Sequence, residues 1–368
     1  MEEIKKILVT GAKGFIGKNL VTVLKEKGFN VLEFDKEQSL LDLNQYCKSA
    51  DFVFHLAGVN RPQNNDEFMD GNFGFTNDLL TKLKKHNNKC PIMISSSIQA
   101  ELDNPYGKSK KAGEDLMIEY SKETGARVLI YRFPNVFGKW SVPNYNTVVA
   151  TFCHNIARNI PIQISNTENI VKIIYIDDLV KTIINDMNIP SLDNFYDIKP
   201  VYSITLGELS KMISSFRDSR ATRKINDMKD GLTKKLYATY LSFLPTDKFK
   251  YDLKMNTDNR GSFTEFLKDN GQVSINVSKP GIIKGNHYHH TKNEKFLVVS
   301  GKGVIRFRHI LSTEIIEYFV SGDKMEVVDI PVGYTHNIEN IGNSDMVTVM
   351  WASEEFDPNN PDTYFMEV

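Results

Sequence analysis

Cysteine is scarce in this sequence, and its three copies lie far apart. Cys47, Cys90 and Cys153 are an odd number of thiols in a chain of 368 residues, and no two of them form a CxxC pair. A disulfide framework or a cysteine-rich zinc module needs more thiols at closer spacing. We therefore expect reduced cysteines and a cytoplasmic protein.

The chain also lacks an excess of charge of either sign. Lys and Arg number 45 against 46 Asp and Glu, which gives a net charge of −1. Electrostatic attraction therefore favours neither a nucleic acid nor a membrane surface as a partner. The sequence has no apolar run of the roughly 18 residues that a membrane span needs, and we expect no signal peptide.

What the sequence does contain is the composition of an ordinary globular protein, with 41% hydrophobic and 25% charged residues. Its length suggests two or three domains. Helical and strand patterns alternate up to about Leu244, and strand patterns dominate afterwards. This change of texture predicts an α/β first half and an all-β second half.

The chain begins with a predicted buried strand, KILVT, that leads into a glycine-rich turn and an amphipathic helix. Glycines at GxxGxxG spacing permit a tight turn, a close approach of backbone to a pyrophosphate, and a helix N-terminus that faces the phosphates. The position between a strand and a helix is what makes the pattern specific. The predicted cofactor-binding residues of this turn are Gly11, Gly14, Phe15, Ile16 and Gly17.

Two residues at the end of the next strand favour different dinucleotides. Asp35 suits the ribose hydroxyls of NAD, whereas Lys36 suits the 2′-phosphate of NADP, so the sequence leaves both open. A further strand, DFVFHLA, ends at Leu56 and Ala57, which we also expect to line the cofactor.

A serine-ending strand, IMISSS, precedes a helix that begins with YGKSK. Tyr106 and Lys110 are four residues apart and share a helix face. A free phenol has a pKa of about 10. A nearby ammonium favours the phenolate, while the Ser97 hydroxyl can hold a substrate oxygen.

These motifs resemble the extended short-chain dehydrogenase/reductase family over roughly residues 1–245, through TGAKGFIG, HLAG, SSS, YGKSK, RFPNVFG and YIDDLV. The resemblance implies a Rossmann fold, a nicotinamide cofactor and nucleotide-sugar chemistry. It implies that Tyr106 is the acid/base, that Lys110 lowers its pKa and binds the cofactor ribose, and that Ser97 orients the carbonyl. Tyr106 and Lys110 are therefore also expected cofactor-binding residues. Asn72 occupies the place of a helix-kinking or relay asparagine.

The same resemblance points to residues that would bind the nucleotide-sugar. Arginine and lysine suit a diphosphate and tryptophan suits a ring face, although ordinary packing explains Trp140 equally well. The predicted substrate-binding residues are Asn60, Arg61, Arg132, Asn135, Lys139 and Trp140.

The second half holds a cluster of histidines. His287 and His289 are two residues apart, so on a strand they face one side and His290 faces the other. With Glu294 and the more distant His336 they form a plausible ligand set for Zn²⁺ or another divalent metal.

The patterns G-x5-H-x-H-x4-E-x6-G and P-x-G-x2-H-x3-N around these residues resemble the cupin family of small β-barrels, except that Met325 replaces one glycine. DNRGSFTE (258–265) and GIIKGNHYH resemble deoxysugar epimerases, which are themselves cupins. That second resemblance makes His287 a catalytic base rather than a ligand, and makes Lys295 the contact of a keto oxygen. An acid would be Tyr288 or Tyr334, and both assignments of His287 stay open.

The whole chain resembles the CapF-type bifunctional enzymes of bacterial capsule and O-antigen synthesis. The resemblance implies a reductase domain at 1–245, with its sugar-binding part within about 134–245, and an epimerase-like cupin domain at 246–368. It further implies NADPH, Zn²⁺, a homodimer, and C3 epimerisation and C4 reduction of a UDP-2-acetamido-2,6-dideoxy-4-keto-hexose to UDP-2-acetamido-2,6-dideoxy-β-L-talose. Two rivals are a reductase with a non-catalytic cupin and a redox-sensing regulatory binder.

Overall fold

The protein is described by a computed structural model. The structure describes residues 4–145, 147–189, 193–224, 226–253, 256–258, 261–263, 272–354 and 359–368. Of the predicted segment 258–265, residues 259–260 and 264–265 lie outside the described residues.

The chain forms two compact units. The first holds Met1–Val136, Tyr145–Thr147 and Lys172–Ser203, and the second holds Phe137–Asn144, Val148–Val171 and Ile204–Val368.

The first unit is built on a five-stranded parallel sheet. Its strands are β1 (Lys6–Thr10), β2 (Asn30–Phe34), β3 (Phe52–His55), β4 (Ile92–Ser97) and β5 (Val128–Phe133). The helices of this unit are α1 (Phe15–Glu26), α2 (Leu40–Ser49), α3 (Asp66–Phe68), α4 (Phe75–Lys85), α5 (Pro105–Thr124) and α7 (Ile176–Asn185), with a π-helical turn at Met69–Gly74. The spatial order is β2-β1-β3-β4-β5.

Sequence and packing agree closely in this sheet. β3 and β4 are buried along their whole length, as expected of strands covered on both faces. Helix α5 begins where Asn104 accepts a hydrogen bond from the Gly107 amide at 2.8 Å and Pro105 occupies the first turn. The strand order reverses between β1 and β3, and ligands of such sheets bind at the carboxyl ends of the strands beside that point.

Within the described residues, the second unit contains two five-stranded sheets, three α-helices and further short strands. The helices are α6 (Val148–Ala157), α8 (Leu206–Thr222) and α9 (Gly231–Ser242). One sheet has the order β12-β19-β14-β17-β9, with β9 (Lys250–Asp252), β12 (Gln272–Ser278), β14 (Glu294–Ser300), β17 (Glu326–Ile330) and β19 (Met346–Ala352). The other has the order β16-β15-β18-β13-β20, with β13 (Ile283–Tyr288), β15 (Lys302–His309), β16 (Ile315–Ser321), β18 (Tyr334–Asn340) and β20 (Tyr364–Phe365).

All strand pairs of these two sheets are antiparallel. The remaining short strands of the chain are β6 (Asn135–Phe137), β7 (Ile170–Tyr175), β8 (Tyr202–Thr205), β10 (Asn256–Asp258) and β11 (Gly261–Phe263). Within the described ranges, no helix has the length and apolar character that crossing a membrane requires.

The predicted fold class, an α/β domain followed by an all-β barrel of cupin type, is confirmed. Among the described residues the last α-helix ends at Ser242, a short 3-10 helix covers Thr246–Lys248, and strands follow from Lys250, close to the change of pattern near Leu244. The compact units do not divide at residue 245, because α6, α8 and α9 pack on one another in the second unit. The domain bounds 1–245 and 246–368 stay a prediction.

Gly17 is the glycine of the first turn with the least room. A Cβ there would lie 2.1 Å from the carbonyl oxygen of Gly11. Gly17→Ala should therefore lower the free energy of unfolding by about 1–3 kcal/mol, the usual cost of overpacking, in urea unfolding followed by circular dichroism.

Gly74→Ala is the matched control, because Gly74 has helical φ −58° and ψ −51° and a Cβ there would meet the Met69 oxygen at 3.8 Å. It should change stability by less than about 1 kcal/mol. Equal losses in both variants would contradict the close approach at Gly17.

Candidate functional sites

The glycine turn after β1 forms a cradle that only glycine fits. Gly11 has φ +69°, and a Cβ there would lie 2.8 Å from the Ala57 amide nitrogen. Gly14 is the N-cap of α1 without a side-chain capping bond, so the first amides of the helix are left to a ligand. This geometry fits the pyrophosphate of a dinucleotide.

Asp35 lies beside this turn. Its Oδ2 accepts a hydrogen bond from the Lys13 amide at 2.7 Å, and its Oδ1 accepts one from the Lys36 amide at 2.9 Å. Lys13 in turn pairs with Glu37 at 2.8 Å. The end of β2 thus carries both acidic and basic groups, and the choice between NAD and NADP stays open.

Ser97, Tyr106 and Lys110 come together at the carboxyl end of β4 and the first turns of α5. Lys110 Nζ lies 5.8 Å from the centroid of the Tyr106 ring and donates to the Ser95 carbonyl at 3.1 Å. Burial raises the pKa of Tyr106, which a hydrogen bond with Ser97 opposes. Burial also lowers the pKa of Lys110 to about 8, against the attraction of Glu114.

Asn72 lies on the π-helical turn that precedes α4, and π-helical turns are frequent at functional sites. Its Oδ1 accepts from the Val59 amide at 3.0 Å, while its Nδ2 donates to the Val59 carbonyl at 3.1 Å and to Ser109 Oγ at 3.0 Å. One buried side chain therefore ties the loop after β3 to the helix that carries Tyr106 and Lys110.

Two of the predicted substrate-binding residues of the first unit, Arg132 and Asn135, form hydrogen bonds within the protein. Arg132 Nε and Nη2 bind Glu114 at 2.8 and 2.7 Å, and its Nη1 binds Glu101 at 2.5 Å. Asn135 Nδ2 donates to the Lys172 carbonyl at 3.2 Å. Asn60 and Arg61 lie in the loop after β3 and are exposed, as is Asn135, whereas Arg132 is half-buried.

Lys139 and Trp140 belong to the second unit. Trp140 packs 5.7 Å from the His309 ring, and a Cβ on Gly333 would lie 3.0 Å from Trp140 Nε1. Lys139 is fully buried, with its Nζ 5.3 Å from the Trp140 ring. These contacts match the packing alternative for Trp140, and the substrate-binding role of all six residues stays a prediction.

The second unit brings His287, His289, Glu294 and His336 together, although they come from three strands and a turn. One ligand atom of each lies within 4.8 Å of the others. Glu294 Oε2 is 3.3 Å from His289 Nε2 and 3.4 Å from His336 Nε2. The His290 ring instead packs on Tyr288 and Tyr364, at 5.5 and 4.8 Å, which confirms that it faces the other side.

The electrostatics of this cluster suit a cation. Burial, together with neighbouring His336, lowers the pKa of His287 to about 4, and burial lowers the pKa of His336. Burial alone would raise the pKa of Glu294, but hydrogen bonds with His289 and His336 hold it well below its usual value. Neutral imidazoles and an ionised carboxylate are the states that bind a metal, and both ring nitrogens of His336 are buried, with Nε2 facing the Glu294 carboxylate.

Asp362, which the sequence patterns did not reveal, organises one side of the cluster. Its carbonyl accepts a hydrogen bond from His289 Nδ1, which directs Nε2 toward Glu294 and the centre of the cluster. Its carboxylate accepts from the amides of His290, Thr291 and Lys292 at 2.9, 2.6 and 2.6 Å. These bonds overcome burial and lower the pKa of Asp362 to about 2.

Lys295 is turned away from the four-residue cluster. It follows Glu294 on β14, and successive side chains of a strand point to opposite faces. Its buried Nζ pairs with Asp329 and lies 3.3 Å from the Tyr251 hydroxyl. Tyr334 begins β18, two residues before His336, and burial raises its pKa. The catalytic roles of Lys295 and Tyr334 stay predictions.

Asp362→Ala should weaken metal binding about 10- to 100-fold, the usual contribution of an outer partner of a ligating histidine. Without the carboxylate the amides of residues 290–292 are released, and the Asp362 backbone carbonyl is no longer held against His289. Dialysed protein titrated with Zn²⁺ against a chelating dye measures the affinity directly. Asp345→Ala, which removes an exposed carboxylate paired with Lys279, is the control and should leave affinity unchanged. Equal affinities of the two variants would contradict the role of Asp362.

The chain matches two known protein families. Residues 7–188 match the NAD dependent epimerase/dehydratase family, and residues 256–364 match the polysaccharide biosynthesis C-terminal domain. A reductase of Pseudomonas aeruginosa, UDP-2-acetamido-2,6-beta-L-arabino-hexul-4-ose reductase, is 47% identical over 99% of both chains.

Solved structures are also similar to this chain. The capsular polysaccharide assembling protein CapF of Staphylococcus aureus is 54% identical, with a TM-score of 0.68 over 98% of this chain and 100% of that one. The UDP-glucose 4-epimerase of Thermotoga maritima shares the fold at 23% identity, with a TM-score of 0.52 over 57% of this chain and 82% of its own.

Proposed function

The chain belongs to the CapF family, in which an extended short-chain dehydrogenase/reductase domain precedes a cupin domain, and from this premise we propose that it is a bifunctional nucleotide-sugar enzyme. Its cupin would epimerise C3 of a UDP-2-acetamido-2,6-dideoxy-4-keto-hexose. Its reductase would then reduce C4 to give UDP-2-acetamido-2,6-dideoxy-β-L-talose. The printed activity of the 47% identical relative, reduction of a UDP-linked hexul-4-ose, supports this substrate class.

The observation that carries the reductase half is the convergence of Ser97, Tyr106 and Lys110 beside the glycine cradle. A bound NADPH would supply the hydride for C4. The Ser97 hydroxyl would hold the C4 carbonyl oxygen, and Tyr106 would give its proton to that oxygen as charge develops there. Lys110 would stabilise the phenolate that remains.

In the cupin half, His287, His289, Glu294 and His336 would hold a divalent cation such as Zn²⁺, which supplies Lewis-acid polarisation of a carbonyl when bound. Epimerisation removes the acidic C3 proton next to the C4 ketone and returns it on the other face. His287 is neutral and only half-buried, so it serves either as the fourth ligand or as the base. Tyr334, two residues from His336 on β18, is the proposed acid.

A second candidate is a reductase whose cupin is a non-catalytic dimerisation or sugar-binding module. It is favoured by one observation: Lys295, the expected partner of the keto oxygen, is bound to Asp329 on the face of β14 opposite Glu294.

Tyr106→Phe separates the two activities. It should abolish NADPH oxidation, because the proton donor is gone, but leave incorporation of solvent deuterium at C3, which needs only the cupin. The measurement is incubation with the UDP-4-keto sugar in D2O, with and without NADPH, followed by NMR.

Tyr120→Phe is the control, since Tyr120 lies on the same helix and donates to the Asn88 carbonyl at 3.1 Å; it should retain both activities. Loss of deuterium incorporation in Tyr106→Phe would show that the sites are not separable. Absence of incorporation in the unaltered protein would favour the non-catalytic cupin.

The reduction rate should depend on pH through Lys110. Its pKa is lowered to about 8 by burial, so the ammonium is present below that pH and is lost above it. We expect kcat to be steady at lower pH and to fall as pH rises through about 8. Lys110→Arg should move the fall to higher pH, because a guanidinium stays charged.

Lys108→Arg, on an exposed face of the same helix, should keep the original profile. A fall at the same pH in Lys110→Arg would assign it to another group.

A further inference from the structure

His55 is a buried histidine at the end of β3 whose two ring nitrogens both have partners. Nδ1 is 2.8 Å from Thr10 Oγ1 at the end of β1. Nε2 is 2.8 Å from Thr76 Oγ1 on α4. The side chain is only 1% exposed, so neither bond is replaced by water.

The surrounding bonds fix the direction of each hydrogen bond. Thr76 Oγ1 donates to the Asn72 carbonyl at 2.5 Å, so its single proton is used and it accepts from His55 Nε2–H. Thr10 Oγ1 accepts from the Ala57 amide at 3.3 Å, and its proton goes to His55 Nδ1. The ring is therefore neutral, with its proton on Nε2.

This chain of bonds ends at the reductase site. Asn72 ties the Val59 backbone to Ser109. A Cβ on Gly58 would lie 2.6 Å from Asn72 Oδ1 and 3.1 Å from Lys110 Nζ. The cavity that His55, Asn72 and Lys110 line encloses only about 10 Å³, so a displacement of one is passed to the others.

We infer that His55 is a positioning residue for the reduction. Through Thr76 it holds the π-helical turn at Met69–Gly74, and that turn sets the place of Asn72 beside Lys110. The inference rests on the proposed reductase activity for its kinetic consequence. A histidine that merely fills the core would stabilise the sheet without affecting the geometry of Tyr106 and Lys110.

Thr76→Val tests this relay, the chain of hydrogen bonds from His55 through Thr76 to Asn72, because it removes the hydroxyl and keeps the shape of the side chain. We expect kcat to fall about 10- to 100-fold, since small displacements of catalytic groups have effects of that size, while KM values change less than about threefold. Thr76→Ser, which keeps the hydroxyl, should restore kcat. His55→Phe should resemble Thr76→Val, and combining the two should add little further loss.

Thr239→Val is a matched control. Thr239 is also fully buried and also donates to the carbonyl four residues earlier, Lys235, at 2.8 Å, but it lies on α9 of the second unit. It should lose similar thermal stability and keep kcat. Equal kcat in Thr76→Val and Thr239→Val would overturn the inference, as would failure of Thr76→Ser to restore the rate.

A second measurement does not depend on the substrate. In protein labelled with ¹⁵N-histidine, the His55 ring, assigned from the signal missing in His55→Gln, should show the Nε2–H tautomer at about pH 7.5. An Nδ1–H or doubly protonated ring would overturn the relay even if the protein reduces the sugar. If the unaltered protein shows no reduction, the proposed function fails. The tautomer of His55 then still shows whether the chain of hydrogen bonds through Thr76 is present.

Discussion

The ammonium of Lys110 is buried, and its Nζ donates to the carbonyl of Ser95 at 3.1 Å. Removing a charge from water is costly unless partners replace the water. The fall in the pKa of Lys110 from 10.5 to about 8 corresponds to roughly 3 kcal/mol of disfavoured charge. This cost is tolerated because the surrounding groups are fixed in place: β4 presents its carbonyl, α5 presents the lysine, and Asn72 holds the adjoining loop. The proposed reductase site therefore depends on a poorly solvated cation held by rigid elements.

The second unit also buries charged and polar groups away from water, and it compensates them on one face of β14 but not on the other. Around β14, Lys295 is compensated by Asp329, which also pairs with Arg220, so buried opposite charges neutralise one another. On the other face of β14, the histidines surround the carboxylate of Glu294. Among the described residues, the buried nitrogens of His336 have only a long approach of 3.4 Å, from Nε2 to that carboxylate. Polar atoms buried without partners cost free energy. A divalent cation would give these nitrogens a partner. Buried polar atoms that lack a close partner in the protein are what a cation-binding site is expected to show.

Short spacing along the chain predicted several residues that the structure brings together, although their roles stay predictions. These are the glycine turn, the pair Tyr106 and Lys110, and His287, His289 and Glu294; the pattern around the more distant His336 completed the last set. Sequence reasoning failed for partners that come from distant parts of the chain. The Asp362 carbonyl reaches His289 across 73 residues, and Glu114 takes the guanidinium of Arg132 across 18. An isolated acidic residue has no local pattern that reveals such a partner, because tertiary register alone creates the contact.

Strand register also explains why neighbouring residues of one motif diverge. Glu294 and Lys295 are adjacent, so the pleat that points one at the histidines points the other at Asp329. His287 reaches the cluster because of an irregularity in β13: the register shifts between Gly285 and His287, and His287 then pairs with His336 on β18. Gly285 has φ +109°, and a Cβ there would lie 2.8 Å from the His336 carbonyl oxygen. Only glycine permits that approach. The placement of His287 therefore depends on a backbone feature two residues before it.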